Sequence, residues 1–528
     1  MSSVNAGSLP DSAKASGWQR WQIYALTGLS LSIGWGIRGN FGHEWGAAMP
    51  GALAAMAAVL MSGRTDWLQR IPLFALFGAL GWSFGGSMSY GLVIGYTQSG
   101  DTLSVLYGFG CLFVIGFLWG AVGGAGTALP AYCSRAALAQ FFAPLACIFL
   151  VWWAEGAWEA RWLASSPTYQ ERSPLDWYDT DWISVLLAIL VVGARTVVRR
   201  RLEDADRWIL HMAVGWWVGF LLLTVLLGLR MTPPRSDNWS GSLGMVAGIF
   251  VHLTRQRQWG LLYATLWGGI IGGIGFAGAQ LIKLVLMKTG WSTNWHSVME
   301  QTYGLINGLG IVMVMEWLRV RAPRWQDQDE QRVYRWSDAV AVSAVLLLLT
   351  YVNLQRMVDD WLRAKAVPES ILFLTARGWF DLFYALTAAA FLWVMREHLK
   401  RPLPLIPGSP LGRGQMLYLV FLWWIVTGNF MRALVAFSPD RLITEGVIHV
   451  NALLCSVWAL LRAYEECEVP HVASTDYTTI LRRGVVAGMA LLFLTVLSAW
   501  GITRALYGDT VAGGGKKQIR FNTTTTPR

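Results

Sequence analysis

Residues 31–60 read LSIGWGIRGNFGHEWGAAMPGALAAMAAVL. Two apolar segments rich in small residues flank a short polar break, which begins at Arg38. Segments this apolar can satisfy their backbone hydrogen bonds within a bilayer as helices, so the stretch predicts two membrane helices joined by an irregular turn. Uninterrupted apolar runs elsewhere, such as 221–227 and 340–349, favour helices over the alternating strands of an outer-membrane barrel.

The composition extends this prediction to the whole chain. Of 528 residues, 54% are hydrophobic and 14% are charged, whereas soluble domains carry about 25% charged residues. A water-soluble enzyme and a disordered chain are therefore both excluded. We predict an all-α, polytopic transmembrane helical bundle of about fifteen spans in a lipid bilayer. The predicted spans are 20–37, 46–62, 71–95, 105–130, 138–156, 182–198, 208–229, 241–254, 259–287, 300–318, 337–355, 371–395, 415–435, 443–461 and 483–503.

Basic residues concentrate in alternate loops. Loops such as 199–207 and 319–335 are rich in arginine, whereas 96–104 has no basic residue and 157–181 is acid-rich. Since Lys and Arg favour the cytoplasmic side in short loops, the N-terminus is predicted to be cytoplasmic, in a bacterial inner membrane. An odd number of spans then places the polar tail on the outer side, although the tail carries lysines.

An internal repeat is predicted from three apolar helices that end at Arg38, Arg230 and Arg432, spaced by 192 and 202 residues. Each arginine is followed by a polar break and a second apolar helix. Because six spans restore the orientation, the repeats would be parallel. The alternative is that Gly- and Trp-rich helices align through composition alone. The predicted divisions are an N-terminal segment 1–19, six-span repeats 20–201 and 202–401, a three-span half-repeat 402–503, and a polar tail 504–528.

The layout is similar in outline to major facilitator transporters. Their loop signature is missing from SGRTDWLQR (62–70), however, and no family is assigned.

The polar breaks supply the candidate site residues. Guanidinium groups match carboxylate or phosphate oxygens, and each restarted helix offers free N–H groups to an anion. The candidate ligand-binding residues are Arg38, Asn40, His43, Glu44, Arg230, Arg235, Asp237 and Arg432. One alternative is an interfacial loop in which Arg38 reaches the headgroups, and another is internal pairing, for example of Arg432 with Glu445. Glu300, near the end of its predicted span, is expected to be exposed at the interface.

The leading functional hypothesis is transport or permeation of a small anionic or carboxylated solute, with an outward-facing site at the breaks. The second is an intramembrane enzyme acting on a lipid-linked or anionic substrate, with His43 and Glu44 as its acid–base pair. The third is a structural or accessory subunit of a larger membrane complex, and the protein itself could be an oligomer. The sequence identifies no cofactor, metal site or nucleic-acid partner. Glycines spaced by four residues, at 116, 120 and 124 and at 268 and 272, predict close helix packing.

Overall fold

The computed structural model describes residues 17–42, 44–85, 88–165, 175, 177–233, 237–325, 328–436, 438–461 and 475–521. Within them the chain is almost entirely helical. Short π-helical segments extend α10 (Phe220–Leu226) and join α15 to α16 (Ser343–Leu349), and two-residue strands β1 (Ser370–Ile371) and β2 (Leu374–Thr375) form an antiparallel hairpin. The helices are α1 (Gly17–Arg38), α2 (Glu44–Leu60), α3 (Thr65–Leu68), α4 (Ile71–Phe84), α5 (Gly91–Thr97), α6 (Thr102–Tyr132), α7 (Arg135–Ala139), α8 (Phe142–Ser165), α9 (Trp182–Arg199), α10 (Asp204–Gly219), α11 (Asn238–Arg255), α12 (Trp259–Met287), α13 (Trp295–Arg319), α14 (Gln328–Val333), α15 (Arg335–Val342), α16 (Thr350–Leu354), α17 (Arg356–Arg363), α18 (Ala376–Lys400), α19 (Pro410–Ala433), α20 (Pro439–Leu461) and α21 (Tyr477–Tyr507).

The all-α membrane architecture is confirmed. Among the described residues, ten helices are long and apolar enough to cross a bilayer, and two shorter apolar helices cover Trp45–Leu60 and Ile71–Phe84. The count of fifteen spans stays a prediction. One predicted span is wrong in its extent: 71–95 is interrupted, because α4 ends at Phe84 and α5 begins only at Gly91. The intervening segment carries Tyr90 into the protein interior.

The centre of the bundle is a close contact between α6 and α12, as the glycine spacing predicts. Gly116 faces Gly272 and Gly120 faces Gly268, so the two helices run antiparallel. A Cβ atom added to Gly120 would lie 2.1 Å from the carbonyl oxygen of Gly268. Only hydrogen side chains permit the two backbones to approach this closely.

The helices of the two predicted repeats pack against each other. Besides the α6–α12 pair, α1 packs along α13, where Gly304 lies against the backbone of Leu31 and Gly308 against that of Thr27. The two predicted repeats therefore share one core. The internal repeat and its division boundaries stay predictions.

Three basic loops meet at one end of the bundle, here called the basic end. Arg64, after α2, donates hydrogen bonds to the carbonyls of Arg319, the last residue of α13, and Pro323, in the loop that follows. Arg135 pairs with Asp338 at 2.6 Å. Three of the loops predicted to be cytoplasmic thus lie side by side.

The opposite end holds the C-terminus of α1 and the N-terminus of α13, and is called the break end. A 17-residue helix such as α2 separates the two ends by about 25 Å. The tail beyond α21 folds back at the break end: the backbone N–H groups of Ala512 and Lys516 donate to the carbonyls of Gln98 and Gly95. The described tail therefore lies against loop 96–104.

Candidate functional site

The first polar break turns the chain sharply between α1 and α2. Helix α1 ends at Arg38, and the backbone N–H groups of Asn40 and Phe41 donate to the carbonyls of Ile37 and Arg38. Gly42 has a φ of +94°, a conformation that favours glycine. The turn leaves the Arg38 side chain at the end of an apolar helix, inside the bundle.

Arg38 is buried and paired with Glu300 of α13. Its side chain is 1% exposed, and its Nη1 donates to Glu300 Oε1 at 3.1 Å and to the Tyr90 hydroxyl at 2.7 Å. The Tyr90 hydroxyl in turn donates to Glu300 Oε1 at 2.5 Å. The alternative of an interfacial Arg38 is therefore wrong, and so is the expectation that Glu300 is exposed, because Glu300 is 3% exposed.

Aromatic rings enclose this ion pair. The guanidinium carbon of Arg38 lies 4.8 Å from the ring centroids of both Trp35 and Trp119. Trp35 also makes an edge-to-face contact with Tyr303, and Tyr90 makes one with Phe276. Ring faces attract a cation, so the enclosure offsets part of the hydration that Arg38 loses on burial. We call Arg38, Glu300, Tyr90 and these rings the arginine chamber.

His296 connects the arginine chamber to the surface. It lies one turn before Glu300 in α13, its side chain is 52% exposed, and its Nε2 lies 3.5 Å from Glu300 Oε1. Its ring stacks on that of Tyr90 with centroids 6.0 Å apart. His296 was not among the candidates predicted from the sequence, although the spacing of four residues from Glu300 places both on one helix face.

The first and third breaks meet beside the arginine chamber. Asn40 Nδ2 donates to Asn429 Oδ1, and Asn429 Nδ2 donates to Glu445 Oε2, each at 2.6 Å. Arg432 is paired within the protein, as one alternative expected, but its partner is Asp360 of α17 at 2.5 Å and not Glu445. The structure thus brings Asn40 and Arg432 to one place, which is called the break junction.

Arg356, at the start of α17, is a further cation of the break junction. Its Nη1 donates to the Phe41 carbonyl at 2.7 Å, and a Cβ atom on Gly42 would lie 2.0 Å from that nitrogen. Gly42 therefore makes room for the guanidinium group. Among the described residues no carboxylate pairs with Arg356, which is partly buried. Its role depends on the meeting of distant segments, so no local pattern indicated it.

The second break stands apart from the other two. Arg230 Nε pairs with Asp237 Oδ2 at 2.5 Å, and its guanidinium carbon lies 4.8 Å from the Tyr178 ring centroid. Asp237 also accepts a hydrogen bond from the backbone N–H of Met231. These two candidate residues form an ion pair with each other within the second break.

Other candidate residues lie outside the described part of the chain: His43, Arg235 and the side chain of Glu44. In the part that is described, no group of three or more His, Cys, Asp or Glu side chains is arranged to hold a metal ion. Comparison with protein-family models, curated proteins and solved structures finds no match.

Proposed function

We propose that this integral membrane protein moves a small anionic or carboxylated solute across the bilayer. In this proposal the solute enters at the break junction, between the first and third helix breaks. Transport sites commonly lie where broken helices from different repeats meet, because the break frees backbone groups and polar side chains to face a solute. The same proposal places the protein in a bacterial cytoplasmic membrane.

The observation that carries the proposal is the environment of Arg356. It is a partly buried guanidinium that donates to a backbone carbonyl and has no carboxylate partner among the described residues. A buried or half-buried cation is costly unless an anion compensates it. Arg432, already paired with Asp360, lies at the same junction and adds hydrogen-bond donors. An oxyanion bound here would pair with the Arg356 guanidinium.

We expect Arg356→Gln to reduce solute binding by about 10- to 100-fold, since a hydrogen bond to a charged group contributes about 1.5–3 kcal/mol. Binding would be screened with acetate, succinate and inorganic phosphate through thermal stabilisation of the purified protein. Uptake of the stabilising anion would then be measured in proteoliposomes. Lys365→Gln is the control, because Lys365 follows the same helix with an exposed side chain.

Equal binding and uptake by the two variants would contradict the assignment of Arg356. Uptake no faster than into protein-free liposomes, for every probe, would contradict transport of such anions. Chemical conversion of a bound probe would favour the enzyme hypothesis instead.

The second prediction concerns sidedness, with the basic end proposed to be cytoplasmic. We expect a cysteine at Thr289, exposed at the break end, to react with an impermeant thiol reagent from outside the cell. A cysteine at Leu405, which is 75% exposed and follows α18, should react only after permeabilisation. Native cysteines are replaced first, since Cys147 is exposed. Ser99 is unsuitable as a probe because it is 2% exposed. The reverse labelling pattern would invert the proposed topology.

A further inference from the structure

We propose that the arginine chamber couples anion binding to proton uptake, with Glu300 as the proton acceptor and His296 as its connection to water. This inference rests on the proposed anion transport and names its coupling ion. In this inference the solute passes from the break junction into the arginine chamber, where it binds Arg38.

Glu300 lies between Arg38, its ion-pair partner, and His296, which can donate a proton. Its Oε1 receives contacts from three elements: the Arg38 guanidinium of α1, the Tyr90 hydroxyl of segment 88–90, and His296 of its own helix. Of the rings that close the chamber, Trp119 comes from α6 and Phe276 from α12, and both are uncharged. Among the described residues, the titratable and charged groups that contact Glu300 are thus Arg38, Tyr90 and His296.

An anion that binds Arg38 competes with Glu300 for the same guanidinium group. A carboxylate displaced from its counter-charge at 3% exposure is strongly disfavoured in its ionised form. Of the three contacts, His296 is the exposed one, with its Nε2 3.5 Å from Glu300 Oε1, and an imidazole can both accept and donate a proton.

The proton balance of this step is simple. The imidazolium Nε2–H of His296 transfers its proton to a carboxylate oxygen of Glu300, and His296 then recovers a proton from water at the break end. One proton is bound for each anion bound, so no net charge is added to the chamber. By linkage, proton and anion strengthen each other's binding, and anion affinity should rise by up to about tenfold for each unit by which the pH falls.

The test is infrared spectroscopy of the purified protein, which needs no knowledge of the solute. Arg38→Gln removes the counter-charge as a bound anion would. We expect this variant to show at neutral pH the carbonyl stretch of one protonated carboxyl that the native protein lacks. That band should vanish in Arg38→Gln/Glu300→Gln. In Arg38→Gln/His296→Phe the band should persist, while its hydrogen–deuterium exchange slows by about a hundredfold.

If Arg38→Gln does not fold, the native protein is titrated with acid and the same exchange is followed. The Glu300 band should appear reversibly before unfolding, be missing in Glu300→Gln, and exchange slowly in His296→Phe. A Glu300 that stays ionised in both measurements, or exchange that does not depend on His296, would overturn the proposal.

Uptake in proteoliposomes separates this inference from the proposed function. An inward proton gradient should accelerate uptake of the anion in the native protein and have no effect in Glu300→Gln. Uptake that persists in the native protein but ignores the gradient would refute proton coupling and leave anion transport standing.

Discussion

Replacing Arg38 by glutamine is expected to destabilise the folded protein by about 3–5 kcal/mol, the usual effect of removing one partner from a buried ion pair. The loss arises because Glu300 would keep its buried position without its counter-charge. A sequence-based view of Arg38 as a ligand-binding residue predicts loss of activity with the fold retained. The buried pair predicts loss of stability as well.

The double variant Arg38→Gln/Glu300→Gln should recover much of this stability, because no carboxyl group is then buried without its counter-charge. Thermal unfolding of the native protein, both single variants and the double variant would be measured in one detergent. If the loss in the double variant equals the sum of the losses in the two single variants, the two side chains do not interact.

The stability of the folded Arg38→Gln variant should also depend on pH. Without Arg38 the folded protein holds a proton on Glu300 more tightly than the unfolded chain does, so its stability falls as the pH rises. The loss of stability relative to the native protein should therefore be smaller in mildly acidic buffer, at a pH that is still above the ordinary glutamate pKa of about 4.3. The double variant should lack this dependence.

Gly120→Ala should have the second large effect, through the contact between α6 and α12. The new Cβ would lie 2.1 Å from the Gly268 carbonyl oxygen, and that backbone cannot rotate away as a side chain could. The helices must separate, which weakens every contact along the pair. We expect a loss of about 1–3 kcal/mol or more.

Gly110→Ala is the matched control, because it makes the same chemical change in the same helix. Nothing lies within 4 Å of the Cβ position at Gly110. Alanine favours helix over glycine by about 0.8–1 kcal/mol, so this variant should be unchanged or slightly more stable. Similar losses for both variants in thermal unfolding would exclude close packing as the cause.

The sequence predicts the membrane class and most helix positions because hydropathy and span length are local properties. The predicted span 259–287 coincides with α12, and 105–130 lies within α6. Arg38 was also found from its local setting, since an arginine between two apolar helices stands out. The predicted span 71–95 was wrong in extent because the sequence around 85–90 has no charged residue, so the hydropathy pattern continues past the end of α4 at Phe84.

Partnership between distant residues was decided only by the tertiary structure. Glu300 lies 262 positions from Arg38, and Asn429 lies 389 positions from Asn40, so no spacing rule relates them. Glycine spacing predicted that α6 and α12 pack closely, but not that they pack on each other. A hydropathy pattern records how each segment meets lipid or protein. Which buried charge neutralises which depends on how the helices are arranged, because a charge in a low-dielectric interior interacts with whatever the fold brings near it.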